Sequence, residues 1–107
     1  VILGTPGGSR IISMILLATL EWINGGDAKS MVSLPRFHHQ YHPDYVLYEE
    51  EAFMSSEIDK LESMGHTFKK SNRQFGNMQI IMWEHENNKI EVASDPRGKE
   101  KSREEVY

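Results

Sequence analysis

The 107 residues contain no cysteine. That excludes disulfides, cysteine-ligated zinc and thiol catalysis, and it leaves the redox compartment open. A basic excess is also missing. Twelve Lys and Arg stand against 16 Asp and Glu, a formal net charge of −4, so no cationic footprint points to nucleic acid. There is no long apolar run either. The most hydrophobic stretch, residues 11–20, is broken by Ser13 and Thr19 and closed by Glu21. It falls well short of the roughly 20 residues that a membrane span needs. No signal or transit pattern, internal repeat or low-complexity tract is visible, and the chain reads as soluble. It opens on Val1 rather than Met, which reads as a piece of a longer translation product: one small domain, or part of a larger one.

What is present centres on Thr5-Pro6-Gly7-Gly8-Ser9-Arg10, between a short apolar run and the most apolar helix of the chain. Two glycines ahead of a serine and a helix make a turn whose backbone N–H groups can face a negatively charged oxygen, because helix N-termini leave such groups unpaired. Three readings stay open at this point: a phosphate cradle, the oxyanion hole of an acyl-transfer enzyme, or a plain strand-to-helix turn. A P-loop is excluded, since Arg10 follows Ser9 and no Gly-Lys-Ser/Thr is present.

Along the chain, Val1-Ile2-Leu3 reads as a buried strand entering the glycine turn. Ser9 reads as the N-cap of a helix whose apolar residues cover more than one face, up to the stop at Asn24-Gly25-Gly26. Such a helix is normally sandwiched, which hints at a larger partner. Asp27 caps a second short helix with Met31 and Val32 inward, and Pro35 ends it. Strands follow at the Pro35-Arg36-Phe37-His38-His39-Gln40 segment and at residues 45–49. Glu49-Glu50-Glu51 reads as a solvated edge. A third helix starts at Ser56 with Asp59 as a weak capping box, has Ile58, Leu61 and Met64 as its candidate buried stripe, and stops at Gly65. Residues 66–69 form an edge strand. The run 78–83, apolar on both parities, predicts a central strand covered on both faces. Asn87-Asn88 turns it into a return strand, 89–93, with Ile90 and Val92 inward. The tail 99–107 reads as exposed. The pattern is α+β, a largely antiparallel sheet with packed helices.

His38, His39 and His42 invite a metal hypothesis. Adjacent strand residues point to opposite faces, however, and no carboxylate or cysteine completes a set at recognisable spacing. Hydrogen-bonded structural histidines are the simpler expectation. Lys69, Lys70 and Arg73 are too few for nucleic-acid recognition.

Five segments occur in one order: Gly4-Thr5-Pro6-Gly7-Gly8-Ser9-Arg10-Ile11, then Pro35-Arg36-Phe37-His38-His39-Gln40, Met64-Gly65-His66, Gly76-Asn77-Met78-Gln79 and Ala93-Ser94-Asp95-Pro96-Arg97. In sequence and interval they resemble the C-terminal part of the small subunit of bacterial γ-glutamyltransferases (γ-glutamyltranspeptidases, glutathione hydrolases), over essentially all of residues 1–107. The resemblance implies part of an N-terminal-nucleophile hydrolase, an αββα sandwich in which two sheets stack between helices. It implies a precursor that cuts itself into large and small subunits and frees a threonine. That threonine attacks the γ-glutamyl amide of glutathione, with its own α-amino group as base. The γ-glutamyl group then passes to an amino acid, a peptide or water.

By position, Gly7 and Gly8 match the family's glycine pair whose backbone amides form the oxyanion hole. The implied partners are the rest of the small subunit, the large subunit of the same precursor, and glutathione or other γ-glutamyl compounds. No cofactor and no metal are implied. A periplasmic or secreted location follows from the bacterial family alone. The Pro35–Gln40 and Ser94–Arg97 segments are expected to be structural.

The chain departs from the family where it matters most. Thr5, Thr19 and Thr67 are all internal, so the nucleophile lies outside this chain, as do the paired serines and the arginine clamp. The close Arg103-Glu104-Glu105-Val106-Tyr107 differs from the small residues and Gly-Tyr usual in the family. The chain by itself is expected to be inactive. The alternative is a truncated relic, or a binding or scaffold module of the same fold. Family members acting on poly-γ-glutamate or glutaryl-type amides are not separated by these residues.

Overall fold

The structure is a computed structural model that describes residues 1–103. Among them the order is β1 (Ile2–Gly4), a 3-10 turn (Gly8–Arg10), α1 (Ile11–Ile23), α2 (Ala28–Ser33), β2 (Phe37–His38), β3 (Val46–Tyr48), α3 (Ser55–Ser63), β4 (Phe68–Lys70), β5 (Gln79–Glu84) and β6 (Lys89–Ser94). This is the expected succession, but the strands fall into two sheets. One has the order β1-β5-β6, antiparallel throughout. The other has the order β2-β3-β4, with β3 and β4 parallel across the α3 crossover.

The core lies between α1, α2 and the inner face of the first sheet. Met14 and Ala18 of α1 meet Met31 and Val32 of α2, and Met78 and Ile80 lie below them. Register explains the inner face: Leu3 pairs with Ile80, and Ile80 with Ala93, so these side chains share one side of the sheet. A smaller aromatic cluster serves the second sheet, where Phe53 meets Phe37, Tyr48 and Phe68 at ring separations of 4.9–5.8 Å.

Local signals account for several boundaries. Asp27 caps α2, its carboxylate accepting from the Ser30 amide at 2.7 Å. Gly65, at φ +102°, closes α3. Asn88, at φ +50°, turns the β5–β6 hairpin. The start of α3 sits earlier than expected. Met54 precedes its first turn, and Glu57 rather than Asp59 reaches back, its carboxylate accepting from the Met54 amide at 2.8 Å.

The both-face coverage expected for β5 is not found. Ile81 and Trp83 project to the outer side of the first sheet, and Trp83 is 53% exposed. Pairing sets Val92 against Ile81 and Ile90 against Trp83, so Ile90 and Val92 lie on that same outer face and not inward. The inward residues of β6 include the buried Ala93. The apolar run therefore does mark a two-sided strand, but within these residues only one side has a cover. Helix α1 repeats the pattern. Ile12, Leu16, Leu20 and Ile23 form an exposed stripe at helical spacing, with Ile12 79% exposed.

The overall extents are 54 × 26 × 21 Å and the radius of gyration is 15.5 Å, against about 13 Å for a compact domain of this length. The two bare faces are those a layered sandwich buries against further layers. The chain taken alone should therefore bind an environment-sensitive apolar dye strongly through α1 and the outer sheet face. A sharply folded monomer with no dye signal would mark an autonomous module instead.

Candidate functional site

The glycine turn joins β1 to α1. Gly7 has φ +145° and Gly8 φ +59°, a region that side chains with a Cβ avoid. An added Cβ at Gly7 would sit 2.5 Å from Met14 Cε, whereas at Gly8 it would meet nothing within 4 Å. Gly7 is thus glycine both for its backbone and for its approach to the core, and Gly8 for its backbone alone. Among the described residues neither Gly7 nor Gly8 donates its amide to a backbone or side-chain acceptor. The Gly7 carbonyl accepts from the Arg10 amide at 3.1 Å.

Ser9 is not a helix cap. Its hydroxyl makes no capping bond and reaches instead to Gln40 Oε1 at 3.1 Å. Ser9 lies inside the 3-10 turn, whose cap position is Gly7, and the residue that precedes α1 is Arg10. Upstream, Thr5 Oγ1 accepts from the Asn77 amide at 3.0 Å and donates to the Pro6 carbonyl at 2.9 Å. Gly76, at φ +73°, lets its backbone approach, since a Cβ there would lie 2.5 Å from Thr5 Oγ1. Arg10 lays its guanidinium over the Phe75 ring, 4.6 Å from the centroid. Four of the five sequence motifs thus meet near this turn or beneath it. The Met64-Gly65-His66 segment stays with α3 and its turn.

Beneath the turn, the Pro35–Gln40 and Ser94–Arg97 segments meet in an ionic cluster. Arg36 Nη1 contacts Asp95 Oδ2 at 2.7 Å, with both side chains buried. Arg97 contacts Asp95 Oδ1 at 3.0 Å and binds Glu49 through two bonds of 2.5 and 2.8 Å. The guanidiniums also take up carbonyls. Arg36 donates to the Phe75 and Val32 carbonyls, and Arg97 to those of Val32 and Leu34 at 3.0 Å. These contacts satisfy the exposed end of α2, whose last carbonyls have no partners within the helix.

Glu49 corrects the expected solvated edge. Glu50 and Glu51 are exposed, but Glu49 turns inward and also accepts the Arg36 and Phe75 amides at 2.8 and 3.1 Å. No sequence periodicity separates Glu49 from its neighbours. The available signal was chemical: the Pro35-Arg36 and Asp95-Pro96-Arg97 motifs bring two arginines but one aspartate, and a second carboxylate balances them.

The histidines do not converge. His38 is buried against Ser13 and Gln40, whereas the His39 ring meets Asp44 at 3.0 Å. Among the described residues no three His, Asp or Glu side chains come together in a way that could hold a metal ion. No helix of the described residues is long and apolar enough to cross a membrane. The end of the tail, residues 104–107, lies outside the described residues.

Helices packed on two antiparallel-rich sheets, with bare faces on both the sheet and α1, define part of the layered sandwich of the N-terminal-nucleophile hydrolases. The chain belongs to the gamma-glutamyltranspeptidase family, whose model matches residues 1–104. It is 36% identical over 95 residues to the glutathione hydrolase proenzyme of Escherichia coli (strain K12), covering 88% of this chain and 16% of that protein. With the glutathione hydrolase proenzyme of Bacillus subtilis (strain 168) it shares 34% over 93 residues, covering 86% and 16%. Among solved structures it is similar to the gamma-glutamyltranspeptidase from Pseudomonas nitroreducens complexed with L-DON. That likeness has a TM-score of 0.86 at 32% identity and covers 97% of this chain and 54% of that one. The chain therefore spans about a sixth of these curated relatives and about half of that solved chain.

Two measurements test the site's construction. Gly7→Ala should destabilise more than Gly8→Ala, because both place a Cβ at positive φ, roughly 1–2 kcal/mol, but only the first displaces Met14. Thermal denaturation orders the two, and equal losses would contradict the packing. The second measurement is acid titration. Burial by itself pushes the Glu49 and Asp95 carboxyls up, but hydrogen bonds from amides and arginines outweigh it and hold both below their ordinary 4.5 and 3.8. Their stabilisation is therefore complete above those ordinary values and lost as pH falls through the lower folded values. The urea midpoint should hold level from neutral pH and drop below about pH 4. A level midpoint throughout that range would mean the carboxylates are not ionised in the fold.

Proposed function

We propose that residues 1–107 are the C-terminal portion of the small, catalytic subunit of a γ-glutamyltransferase, and that the Gly7 and Gly8 amides form its oxyanion hole. The observation that carries this reading is the pair of consecutive amides that have no acceptor among the described residues, in a positive-φ turn at the head of α1. Donors kept unpaired and fixed in place are what a developing oxyanion requires, because no reorganisation is needed when the charge forms. The positive end of α1 adds to the same field.

In the reaction, a threonine freed by self-cleavage attacks the γ-glutamyl carbonyl, and its α-amino group takes the proton. The carbonyl oxygen becomes an oxyanion facing Gly7 and Gly8. Collapse expels the amine of the donor, glutathione or another γ-glutamyl compound, with the proton delivered to it. The γ-glutamyl ester then meets an amino acid, a peptide or water, and a second oxyanion forms at the same place. The nucleophile lies outside this chain. Its own threonines support that view: Thr5 and Thr19 spend their hydroxyls on the Pro6 and Ile15 carbonyls. The chain alone is therefore inactive and works with the rest of the small subunit and the large subunit, which would cover the bare apolar faces. A periplasmic or secreted location accords with the bacterial family.

The deciding experiment removes one amide without touching the turn. Gly8→Pro is unsuited, because proline fixes φ near −65° where Gly8 has +59°. Glycolate at position 8, introduced by semisynthesis into the complete enzyme, replaces the N–H with an ester oxygen. Turnover should fall about 10²–10³-fold with a much smaller change in KM. Unchanged turnover in a normally matured enzyme would refute the oxyanion role.

A further inference from the structure

A short relay of side-chain hydrogen bonds runs from β2 to the residue after Gly8, and the function described above makes no use of it. Ser9 Oγ donates to Gln40 Oε1 at 3.1 Å. The same oxygen meets His38 Nε2 at 2.8 Å, and Gln40 Nε2 donates to the His42 carbonyl at 3.0 Å. Because a carbonyl only accepts, the Gln40 amide must turn its nitrogen to His42 and its oxygen to Ser9 and His38. That oxygen also only accepts, so His38 carries a proton on Nε2. His38 Nδ1, 2.6 Å from Ser13 Oγ on α1, then accepts the hydroxyl. One assignment of protons satisfies all four bonds. His38 is 7% exposed, and its ring is held on both nitrogens, by half-buried Ser13 and by exposed Gln40.

The glycine turn is held from within by the Arg10 and Ile11 amides on the Gly7 and Gly8 carbonyls, and from outside by few side chains. Neither Gly7 nor Gly8 has a side chain, and the space around Gly8 is open. On the β1 side, Thr5 ties the turn to Asn77. On the α1 side, the residue adjoining Gly8 is tied through its side chain to Gln40 alone. We propose that Gln40 is a positioning residue for the oxyanion turn: oriented by His38 and His42, it holds Ser9, and through Ser9 it sets the direction of the Gly8 amide. The inference rests on the oxyanion reading of Gly7 and Gly8. It also explains why Ser9 reaches across to β2 instead of capping its own helix. Gln40 touches no reacting atom, and its effect on rate comes through the alignment of a donor.

The test uses the complete matured enzyme with Ser9→Ala, Gln40→Ala, the double variant and Gln40→Glu. Each single alanine variant should lower kcat by about threefold to tenfold, the scale of one lost hydrogen bond, with KM for the γ-glutamyl donor changed less than about twofold. The double variant should be no slower than Gln40→Ala, since both break the same link. Gln40→Glu keeps an acceptor for Ser9 and His38 but loses the donor to the His42 carbonyl, and should fall between the wild type and Gln40→Ala. Unchanged kcat in Ser9→Ala, or effects that multiply in the double variant, would overturn the proposal. Should Gln40→Ala fail to mature, Ser9→Ala decides alone, because Ser9 is exposed and its loss leaves the core intact. Glycolate at position 8 serves as the control. If it slows turnover while the Ser9 and Gln40 variants do not, only the positioning role fails. If it has no effect, the oxyanion reading itself fails.

Discussion

Arg36 and Arg97 sit between Asp95 and Glu49, where the end of α2 meets the residue before β2 and the residues just after β3 and β6, and Phe75 is held there too. Two guanidiniums and two carboxylates balance in charge, which is what makes their burial tolerable. A single unpaired charge in that position would cost several kcal/mol. The spare donors and acceptors are also used. The arginines close the carbonyl end of α2, and the carboxylates take the amides of Arg36, Phe75, Met78 and Arg97. The cluster replaces apolar packing in a chain that has little of it, and it fixes Phe75, the ring on which Arg10 rests.

From this anchor the turn inherits its shape. Phe75 and Asn77 flank Gly76, whose positive φ and missing side chain allow Thr5 and Met14 to approach. Met14 in turn fills the place where a Cβ on Gly7 would sit. The glycines are thus linked: one opens the space for Thr5, another avoids Met14, and the third carries an open backbone. On the opposite side, β2 supplies His38 and the loop after it supplies Gln40. A loop with two glycines would otherwise sample many conformations, and the Thr5–Asn77 and Ser9–Gln40 bonds restrict it from both flanks.

The bare faces show the other half of the design. A strand that is apolar on both parities and a helix that is apolar nearly all round belong to the middle layers of a sandwich. The solved relative superposes on nearly all of this chain while extending to about twice the share covered. The elongated form and the exposed Ile12, Leu16 and Trp83 are consistent with that larger context.

Local rules were enough to read much of this chain from its sequence. The order of strands and helices, the Asp27 cap, the Gly65 and Asn88 turns and the glycine pair all depend on residues a few positions apart, where backbone preference decides. Side-chain partnership was not legible. Whether Glu49, Glu50 or Glu51 meets Arg97 and whether Ser9 caps its helix or reaches Gln40 are settled by partners 48 and 31 residues away, and whether Ile90 or Ala93 faces the core is settled by the helices that cover the sheet. A one-residue change in pairing reverses every inward and outward side chain of a strand, and a buried charge chooses its partner only once the surrounding layers have closed. The sequence by itself determined the elements, their order and the glycine turn at the head of α1. Only the tertiary structure decided which charges neutralise one another and which side chains hold that turn still, because those choices follow from long-range packing and not from local preference.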